Sequence, residues 1–321
     1  MRKLLCLVLI LLLPLCALAE GDLPAWDYPV APEILQDPND YIRLANRENL
    51  LDGSYVPSDL VRVTAKHVSG TFQLRKAVND ALLTMFAAAN QDGCTLYVKS
   101  AYRSYQTQRT MYYNRLEKNG GKDDGWVSYP GASDHQTGLG ADILNYAWTQ
   151  KDGMNEKFAQ TAEAQWMAAH CHEYGFVIRY MDGKQDITGI SFEPWHLRYV
   201  GKVHAEAIVK GGYCLEEYID MLKLHDSENP YSFTTEDGEV YLIYYTAGAG
   251  TTNDVPVVSG KSYSISGTNE GGFVTIVPMS ASAPVSDTSE PSTDSTGSSD
   301  ASSDSSSNAS SDASSESSSS N

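Results

Sequence analysis

Basic residues are scarce in this chain. Of its 321 residues, 23 are lysine or arginine and 41 are aspartate or glutamate, which gives a formal net charge of −18. Residues 281–321 alone carry seven acids and no base. A chain with this balance lacks the basic surface that a nucleic-acid backbone requires, so we expect no nucleic-acid partner.

Long hydrophobic runs are absent after the first twenty residues. Two basic residues precede the apolar stretch Leu4–Cys16, and the A-x-A sequence Ala17–Ala19 follows it. This order is typical of a cleaved signal peptide, which we assign to residues 1–19. The stretch is too short to span a bilayer, and Leu15 stands where lipid attachment at Cys16 would need a small residue. We therefore predict an exported protein without a transmembrane segment and without a lipid anchor.

Cysteine is also sparse. Cys6 and Cys16 belong to the predicted signal peptide, which leaves Cys94, Cys171 and Cys214. An odd number of cysteines in an exported protein leaves at least one unpaired. Cys171 comes late in one predicted helix and Cys214 just after the next, so a bridge between them and three buried thiols both remain open.

Two familiar catalytic patterns are missing as well. The chain has no S-x-x-K, S-D-N and K-T-G set and no helical H-E-x-x-H motif, which disfavours a serine-based penicillin-binding mechanism and the common zinc-helix arrangement.

Two other runs carry chemistry: Ser133–Asp142 (SDHQTGLGAD) and Glu193–His196 (EPWH). Together they supply two imidazoles and two carboxylates. Three of these side chains suit a catalytic zinc ion, which keeps its fourth position open for water, and the fourth suits a general base. Gly138 and Gly140 disfavour a helix between His135 and Asp142, so a turn that leads into a strand is predicted there. Pro194 likewise keeps the second run off a helix interior.

Both runs resemble the S-x-H-x-x-G-x-A-x-D and E-x-W-H signatures of VanY-type D-alanyl-D-alanine carboxypeptidases, a zinc peptidase family shared with VanX-type dipeptidases and L,D-carboxypeptidases. Ser100–Gln108 (SAYRSYQTQ) resembles the family's S-G-Y-R-S-x-x-x-Q. The chain departs at Ala101 (commonly Gly), Asp134 (commonly Glu) and Gly140 (commonly Ala). The resemblance covers roughly residues 40–222.

The resemblance implies a role for each matching residue. One zinc ion per chain would be held by His135, Asp142 and His196, with Glu193 as the general base. Arg103 would contact the substrate and stabilise developing negative charge. Further substrate contacts are expected from four residues: Gln108, Ser133, Tyr102 and Trp195.

Hydrophobic periodicity predicts an α+β fold, with a small antiparallel sheet surrounded by helices and a small C-terminal β extension; the family implies the same architecture. Predicted helices cover Arg75–Asn90, Tyr105–Lys118, Phe158–Tyr174, Val200–Lys210 and Leu215–Leu222. Predicted strands cover Thr95–Ser100, Phe176–Tyr180, Thr188–Phe192, Glu239–Tyr245, Val255–Val258, Tyr263–Ser266 and Gly272–Val277. The predicted organisation is a signal peptide (1–19), a linker (20–40), a zinc carboxypeptidase domain (41–225), a β module (229–280) and a disordered Ser/Asp-rich tail (281–321).

The expected function is removal of the C-terminal D-alanine from peptidoglycan stem peptides by an exported bacterial zinc D,D-carboxypeptidase, extracellular or associated with the cell wall. An L,D-carboxypeptidase that acts on tetrapeptide stems shares every motif and stays open as an alternative. A non-catalytic wall-binding protein is the alternative from another class, and the intact set of zinc and base residues argues against it. We expect a monomer.

Overall fold

The computed structural model describes residues 26–27, 40–151, 153–248 and 255–279. Its strands are β1 (Trp26–Asp27), β2 (Leu60–Arg62), β3 (Gln73–Arg75), β4 (Tyr97–Ser100), β5 (Gly140–Leu144), β6 (Phe176–Ile178), β7 (His196–Tyr199), β8 (Tyr231–Thr234), β9 (Val240–Ala247), β10 (Val257–Val258), β11 (Ser264–Gly267) and β12 (Gly272–Pro278). Its α-helices are α1 (Lys76–Gln91), α2 (Tyr105–Lys118), α3 (Tyr146–Thr149), α4 (Ala162–His170), α5 (Gln185–Thr188), α6 (Lys202–Gly211) and α7 (Leu215–Leu222). Short 3₁₀ helices cover Asp134–Thr137, Glu156–Gln160 and Cys171–Tyr174.

Several sequence-based predictions fall outside these ranges. They are the signal peptide (1–19) with its two cysteines, most of the linker (20–40) and the tail (281–321). Within the described residues, no helix combines the length and the apolar character that a membrane crossing needs.

Four short antiparallel strands form the central sheet, in the order β4-β5-β7-β6. Asp142 on β5 lies opposite both Ser100 on β4 and His196 on β7. Directly opposed residues project from the same face of a sheet, so this register brings three polar side chains together. The mixture of helices and antiparallel sheets confirms the predicted α+β class.

One apolar core lies between this sheet and the helices around it. The buried side of α1 repeats at helical spacing, as its sequence predicts, and includes Val78, Leu82, Met85 and Ala89. These side chains pack in one cluster with others from the sheet and from α4, among them Ile143, Leu197 and Met167. The sheet is therefore held from one side by apolar packing.

The predicted strand Thr188–Phe192 is wrong. Thr188 is the last residue of the short helix α5, which ends at Gly189 in the left-handed region with φ +70°, and residues 189–192 form no strand. The amide of Ser191 then donates to the Gly125 carbonyl, which ties this segment to a loop and not to a strand. The central sheet instead contains the strand β7, which the sequence patterns do not predict.

The C-terminal strands form a second antiparallel sheet, in the order β11-β12-β9-β8. Part of its buried residues shares one apolar cluster with α6 and α7; the members of this cluster include Phe233, Ile243, Val274, Ile208 and Ile219. A separate domain of this size would bury too little surface to be more than marginally stable. Packing against the two helices therefore supplies much of its core.

The three cysteines of the described chain are free and buried: Cys94, Cys171 and Cys214. The bridge that the sequence left open between Cys171 and Cys214 is not formed. Burial raises the pKa of Cys171 to about 12 and that of Cys214 to about 11. Both therefore remain protonated thiols that pack as small apolar groups.

Candidate active site

Three of the predicted residues meet in one buried cluster. His135 lies on the 3₁₀ turn Asp134–Thr137, Asp142 on β5 and His196 at the start of β7. His135 Nε2 is 3.4 Å from Asp142 Oδ2, and His196 Nδ1 is 3.1 Å from Asp142 Oδ1. One ligand atom from each residue lies within 4.8 Å of the others, which is the spacing that a shared metal ion requires.

The local chain path explains how the first run forms this cluster. Gly138 ends the turn in the left-handed region with φ +68°. A β-carbon at this position would stand 2.9 Å from Arg75 Cγ, so the turn also needs a residue without a side chain. Since β5 begins at Gly140, the chain folds back and brings His135 beside Asp142. The predicted turn followed by a strand is confirmed.

Hydrogen bonds and orphaned atoms show that this cluster fits a metal ion. His135 Nδ1 lies 2.7 Å from the Ala101 carbonyl oxygen, which leaves Nε2 free to face Asp142. This is the arrangement by which proteins orient a metal-binding imidazole. Asp142 Oδ1 is buried and accepts no hydrogen bond from the described residues, although it faces His196 Nδ1. A buried carboxylate that faces two imidazoles, one with each oxygen, and has one oxygen unsatisfied is part of a donor set suited to zinc.

The protonation states also match metal binding. Burial and the nearby Arg103 guanidinium lower the pKa of His135 to about 4, so its imidazole is neutral at physiological pH. Burial would raise the pKa of Asp142, but the two histidines outweigh it and hold that pKa well below its ordinary value. Neutral imidazole and ionised carboxylate are the forms that bind a metal.

Glu193 lies against this cluster. Its Oε2 is 3.5 Å from His196 Nδ1, and its side chain is almost wholly buried. Its amide donates to the Tyr180 carbonyl at 3.0 Å, while its own carbonyl accepts from the His196 amide at 3.1 Å. Burial and the charge of Asp142 raise the pKa of Glu193 well above its usual range. A carboxyl group with a raised pKa is suited to accept and return a proton near neutral pH.

Arg103 follows β4 and lies at the rim of the site. Its Nη2 donates to Ser100 Oγ at 3.1 Å and stands 3.9 Å from Asp142 Oδ2. Its amide donates to the His135 carbonyl at 3.1 Å. The side chain keeps 15% of its surface accessible, so it can meet a ligand.

Gln108 makes its hydrogen bonds within the protein. Its Oε1 accepts from Arg103 Nη1 at 2.7 Å, and its Nε2 donates to the Ser128 carbonyl at 2.6 Å. Both polar groups are thus bonded within the protein, and the residue is buried. Gln108 therefore helps to hold Arg103 in place, and its own contact with a substrate stays a prediction.

The other three predicted contacts lie in different settings. Ser133 is buried at the start of the turn that carries His135. Tyr102 is half-buried beside Arg103, and burial raises its pKa. Trp195 is 2% exposed, belongs to the apolar core and stacks on Trp126 with ring centroids 6.2 Å apart. The arrangement places Trp195 in the apolar core, and its contact with a substrate stays a prediction.

Tyr180 is a residue of this site that the sequence analysis missed. Its ring centroid lies 4.9 Å from that of His196, and its hydroxyl group bonds with the Ser128 side chain. Burial raises its pKa, so the hydroxyl stays neutral. Tyr180 comes at the end of the predicted strand Phe176–Tyr180, and nothing in the local sequence distinguishes it from a core residue.

Comparisons with known proteins agree with this geometry. Residues 71–202 match the family model of VanY, described as D-alanyl-D-alanine carboxypeptidase. YodJ of Bacillus subtilis (strain 168), named as a carboxypeptidase, is 41% identical over 201 residues, which is 60% of this chain and 71% of YodJ.

Two solved structures are similar in fold. The vancomycin resistance D,D-dipeptidase VanXYg, in complex with a D-Ala-D-Ala phosphinate analogue, matches with a TM-score of 0.67 and 28% identity over 79% of this chain and 99% of VanXYg. The L,D-carboxypeptidase LdcB matches with a TM-score of 0.51 and 41% identity over 55% of this chain and 84% of LdcB. With the His, Asp and His cluster beside a buried glutamate, these matches establish that the chain belongs to the VanY family of D-alanyl-D-alanine carboxypeptidases and is a hydrolase.

Proposed function

We propose that this protein is an exported zinc D,D-carboxypeptidase that removes the C-terminal D-alanine from peptidoglycan stem peptides. The observation that carries the proposal is the buried cluster of His135, Asp142 and His196 with Glu193 directly beside it. This set supports hydrolysis over a purely wall-binding role, because a binding module has no need of a buried carboxyl group with a raised pKa.

His135, Asp142 and His196 would hold one zinc ion per chain. When bound, zinc supplies Lewis acidity and lowers the pKa of water at the site. The orphaned Asp142 Oδ1 and the oriented His135 Nε2 support this assignment.

Glu193 is the proposed general base. It takes one proton from the water molecule that attacks the scissile carbonyl carbon, and it returns that proton to the nitrogen of the departing D-alanine. The C–N bond breaks as the new C–O bond is retained, so the products are a shortened peptide and free D-alanine. Burial and the charge of Asp142 raise the pKa of Glu193, whereas a metal cation bound beside it would favour its ionised form.

Arg103 is the proposed anchor for the free carboxylate of the substrate. Ser100 and Gln108 fix its guanidinium group, so its remaining N–H donors are oriented before the substrate arrives. A planar guanidinium matches a carboxylate with two parallel hydrogen bonds. The partly buried position strengthens that interaction relative to water. Ser133 and Tyr102 stay as proposed secondary contacts.

The second candidate is an L,D-carboxypeptidase that acts on tetrapeptide stems. The 41% identity to LdcB favours it, because the same residues would serve both reactions.

Incubation of the zinc-loaded full chain with pentapeptide and tetrapeptide stems, followed by mass spectrometry, separates the two. We expect the pentapeptide to lose one D-alanine and the tetrapeptide to stay intact. Cleavage of the tetrapeptide alone would replace the first proposal with the second. Failure to cleave either stem, with zinc bound, would overturn both.

The zinc assignment has its own measurement. His196→Ala should reduce the bound zinc, measured by elemental analysis after dialysis, to a small fraction of the wild-type content. An undiminished zinc content would show that the metal lies elsewhere.

A further inference from the structure

A chain of four buried charged residues runs beside the proposed zinc site without belonging to it. Asp134 is fully buried directly before His135, and its two carboxylate oxygens bind different arginines. Oδ2 accepts from Arg179 Nε at 2.8 Å, and Oδ1 accepts from Arg198 Nη1. Arg179 continues to Glu216 on α7 with two further bonds of 2.8 and 2.6 Å. We refer to Glu216, Arg179, Asp134 and Arg198 as the buried charge chain.

Both arginines are attached to the strand that carries His196. Arg198 lies two residues after His196 on β7 and also donates to the carbonyls of Tyr41 and Arg43 at 2.9 and 2.6 Å. The amide of Arg179 donates to the His196 carbonyl at 3.0 Å. Asp134 therefore ties the turn that carries one proposed zinc ligand to the strand that carries another.

Asp134 and His196 both pack against Gly140. A β-carbon built at Gly140 would stand 3.1 Å from Asp134 Cβ and 3.1 Å from His196 Nε2. That His196 nitrogen is buried and has no hydrogen-bond partner among the described residues. The ring therefore lacks the hydrogen bond that orients His135, and its position depends on packing and on the elements around it.

Charge adds a second reason for Asp134 to matter. Two guanidinium groups buried next to a metal site would repel a divalent cation unless a carboxylate offsets them. Asp134 lies between the two arginines. Within the buried charge chain, it is the residue that directly adjoins a proposed zinc ligand, His135, in the sequence. Glu216 offsets the same Arg179 from its far side.

We propose that Asp134 is a positioning residue that sets the affinity and geometry of the zinc site through Arg179 and Arg198. The inference rests on the proposed zinc site. It assigns no contact between Asp134 and the substrate or the metal.

Asp134→Asn and Glu216→Gln make a matched pair, because each removes one carboxylate charge from Arg179 with almost no change in volume. Zinc affinity would be measured by competition with a chromophoric chelator, ligand geometry by the visible spectrum of the cobalt-substituted protein, and stability by thermal melting.

We expect Asp134→Asn to weaken zinc binding by about 10- to 100-fold and to alter the cobalt spectrum. Glu216→Gln should lower the melting temperature but keep the wild-type zinc affinity and spectrum. Asp134→Glu restores the charge and should recover most of the affinity.

Equal effects of Asp134→Asn and Glu216→Gln on zinc affinity, or wild-type affinity in Asp134→Asn, would overturn the inference. If Asp134→Asn does not fold, Arg198→Lys takes its place, since it keeps the cation but loses the forked contact; an unchanged zinc affinity and cobalt spectrum in that variant would also overturn the inference. His196→Ala distinguishes a failure of this inference from a failure of the proposed function. The zinc content of His196→Ala tests whether the metal binds at the proposed site, whereas Asp134→Asn tests whether Asp134 positions that site.

Discussion

Asp142 and Glu193 lie in the same buried site, and their pKa values are shifted in opposite directions. Asp142 faces two imidazoles, which hold its pKa low. Burial and the charge of Asp142 raise the pKa of Glu193 instead. Two carboxyl groups with separated pKa values suit the two roles proposed for them, Asp142 as a metal ligand and Glu193 as a proton carrier.

Glu193→Gln should therefore retain zinc and lose turnover. The amide keeps the shape of the side chain but cannot accept the proton, so kcat should fall by about 10²- to 10⁴-fold. The measurement is kcat on a D-alanine-terminated peptide together with the zinc content. Glu236→Gln, at a 77% exposed position, is the control. Near-normal kcat in the Glu193 variant would remove it from the role of base.

The role proposed for Arg103 leads to a prediction about the substrate. Amidation of the C-terminal D-alanine should abolish cleavage, and Arg103→Ala should cause the same loss on the free acid. Breaking a charged pair in a desolvated site costs about 2 to 5 kcal/mol, roughly 30- to 5,000-fold in kcat/KM. Arg109→Ala, on the exposed side of α2, serves as the control. Equal rates on amidated and free peptides would point to an endopeptidase.

At the scale of elements, the site depends on the register of short strands and on one glycine turn. Gly138 combines a φ of +68° with neighbours that leave no room for a β-carbon, the nearest being Arg75 Cγ at 2.9 Å and Leu60 Cδ2 at 3.0 Å. Gly189 has a similar φ of +70° and nothing within 4 Å. Substitutions at the two positions therefore distinguish the cost of the left-handed backbone, which both share, from the cost of crowding around a β-carbon, which arises at Gly138 alone.

Gly138→Ala should destabilise the fold more than Gly189→Ala. Both variants pay about 1 to 2 kcal/mol for the left-handed conformation, and overpacking at Gly138 adds about 1 to 3 kcal/mol. Denaturant unfolding of both variants measures the difference. Equal losses would mean that Arg75 and Leu60 move aside at little cost.

Sequence alone predicts some elements better than others. The amphipathic repeat of α1 predicts that helix within a residue or two at each end. The short signatures predict the three residues that the fold brings together in one cluster, His135, Asp142 and His196. The strand β7 was missed because it is only four residues long and contains Arg198, which resembles a surface residue in the sequence but is fully buried. The hydrogen bonds of Gln108 to Arg103 and Ser128 are not predictable, because sequence gives residue type and spacing but not the partner that a side chain selects.

At the scale of the whole molecule, one buried histidine links stability to pH. His204 on α6 is 5% exposed and hydrogen-bonds with the Tyr218 hydroxyl of α7 at 2.8 Å. Burial lowers its pKa from 6.5 to about 3. The unfolded chain binds this proton between those values and the folded chain does not, so stability is lost as the pH falls below 6.5.

Between pH 6.5 and 4.5 this group should remove about 2 kcal/mol from the free energy of unfolding. His204→Gln cannot titrate, so its stability should fall less steeply over that range, whatever its stability at pH 7. Denaturant unfolding at several pH values gives the two slopes. Identical slopes for His204→Gln and the wild type would exclude His204 as the cause.

The free thiols have a consequence for how this protein can be made. Because Cys94, Cys171 and Cys214 are unbridged and buried, no covalent cross-link among the described residues has to form before the core closes. The described fold should then be reached equally well in the presence or absence of a reductant such as dithiothreitol, with no need for a disulfide isomerase. Production in a reducing cytoplasm should accordingly give the same core as secretion into an oxidising environment.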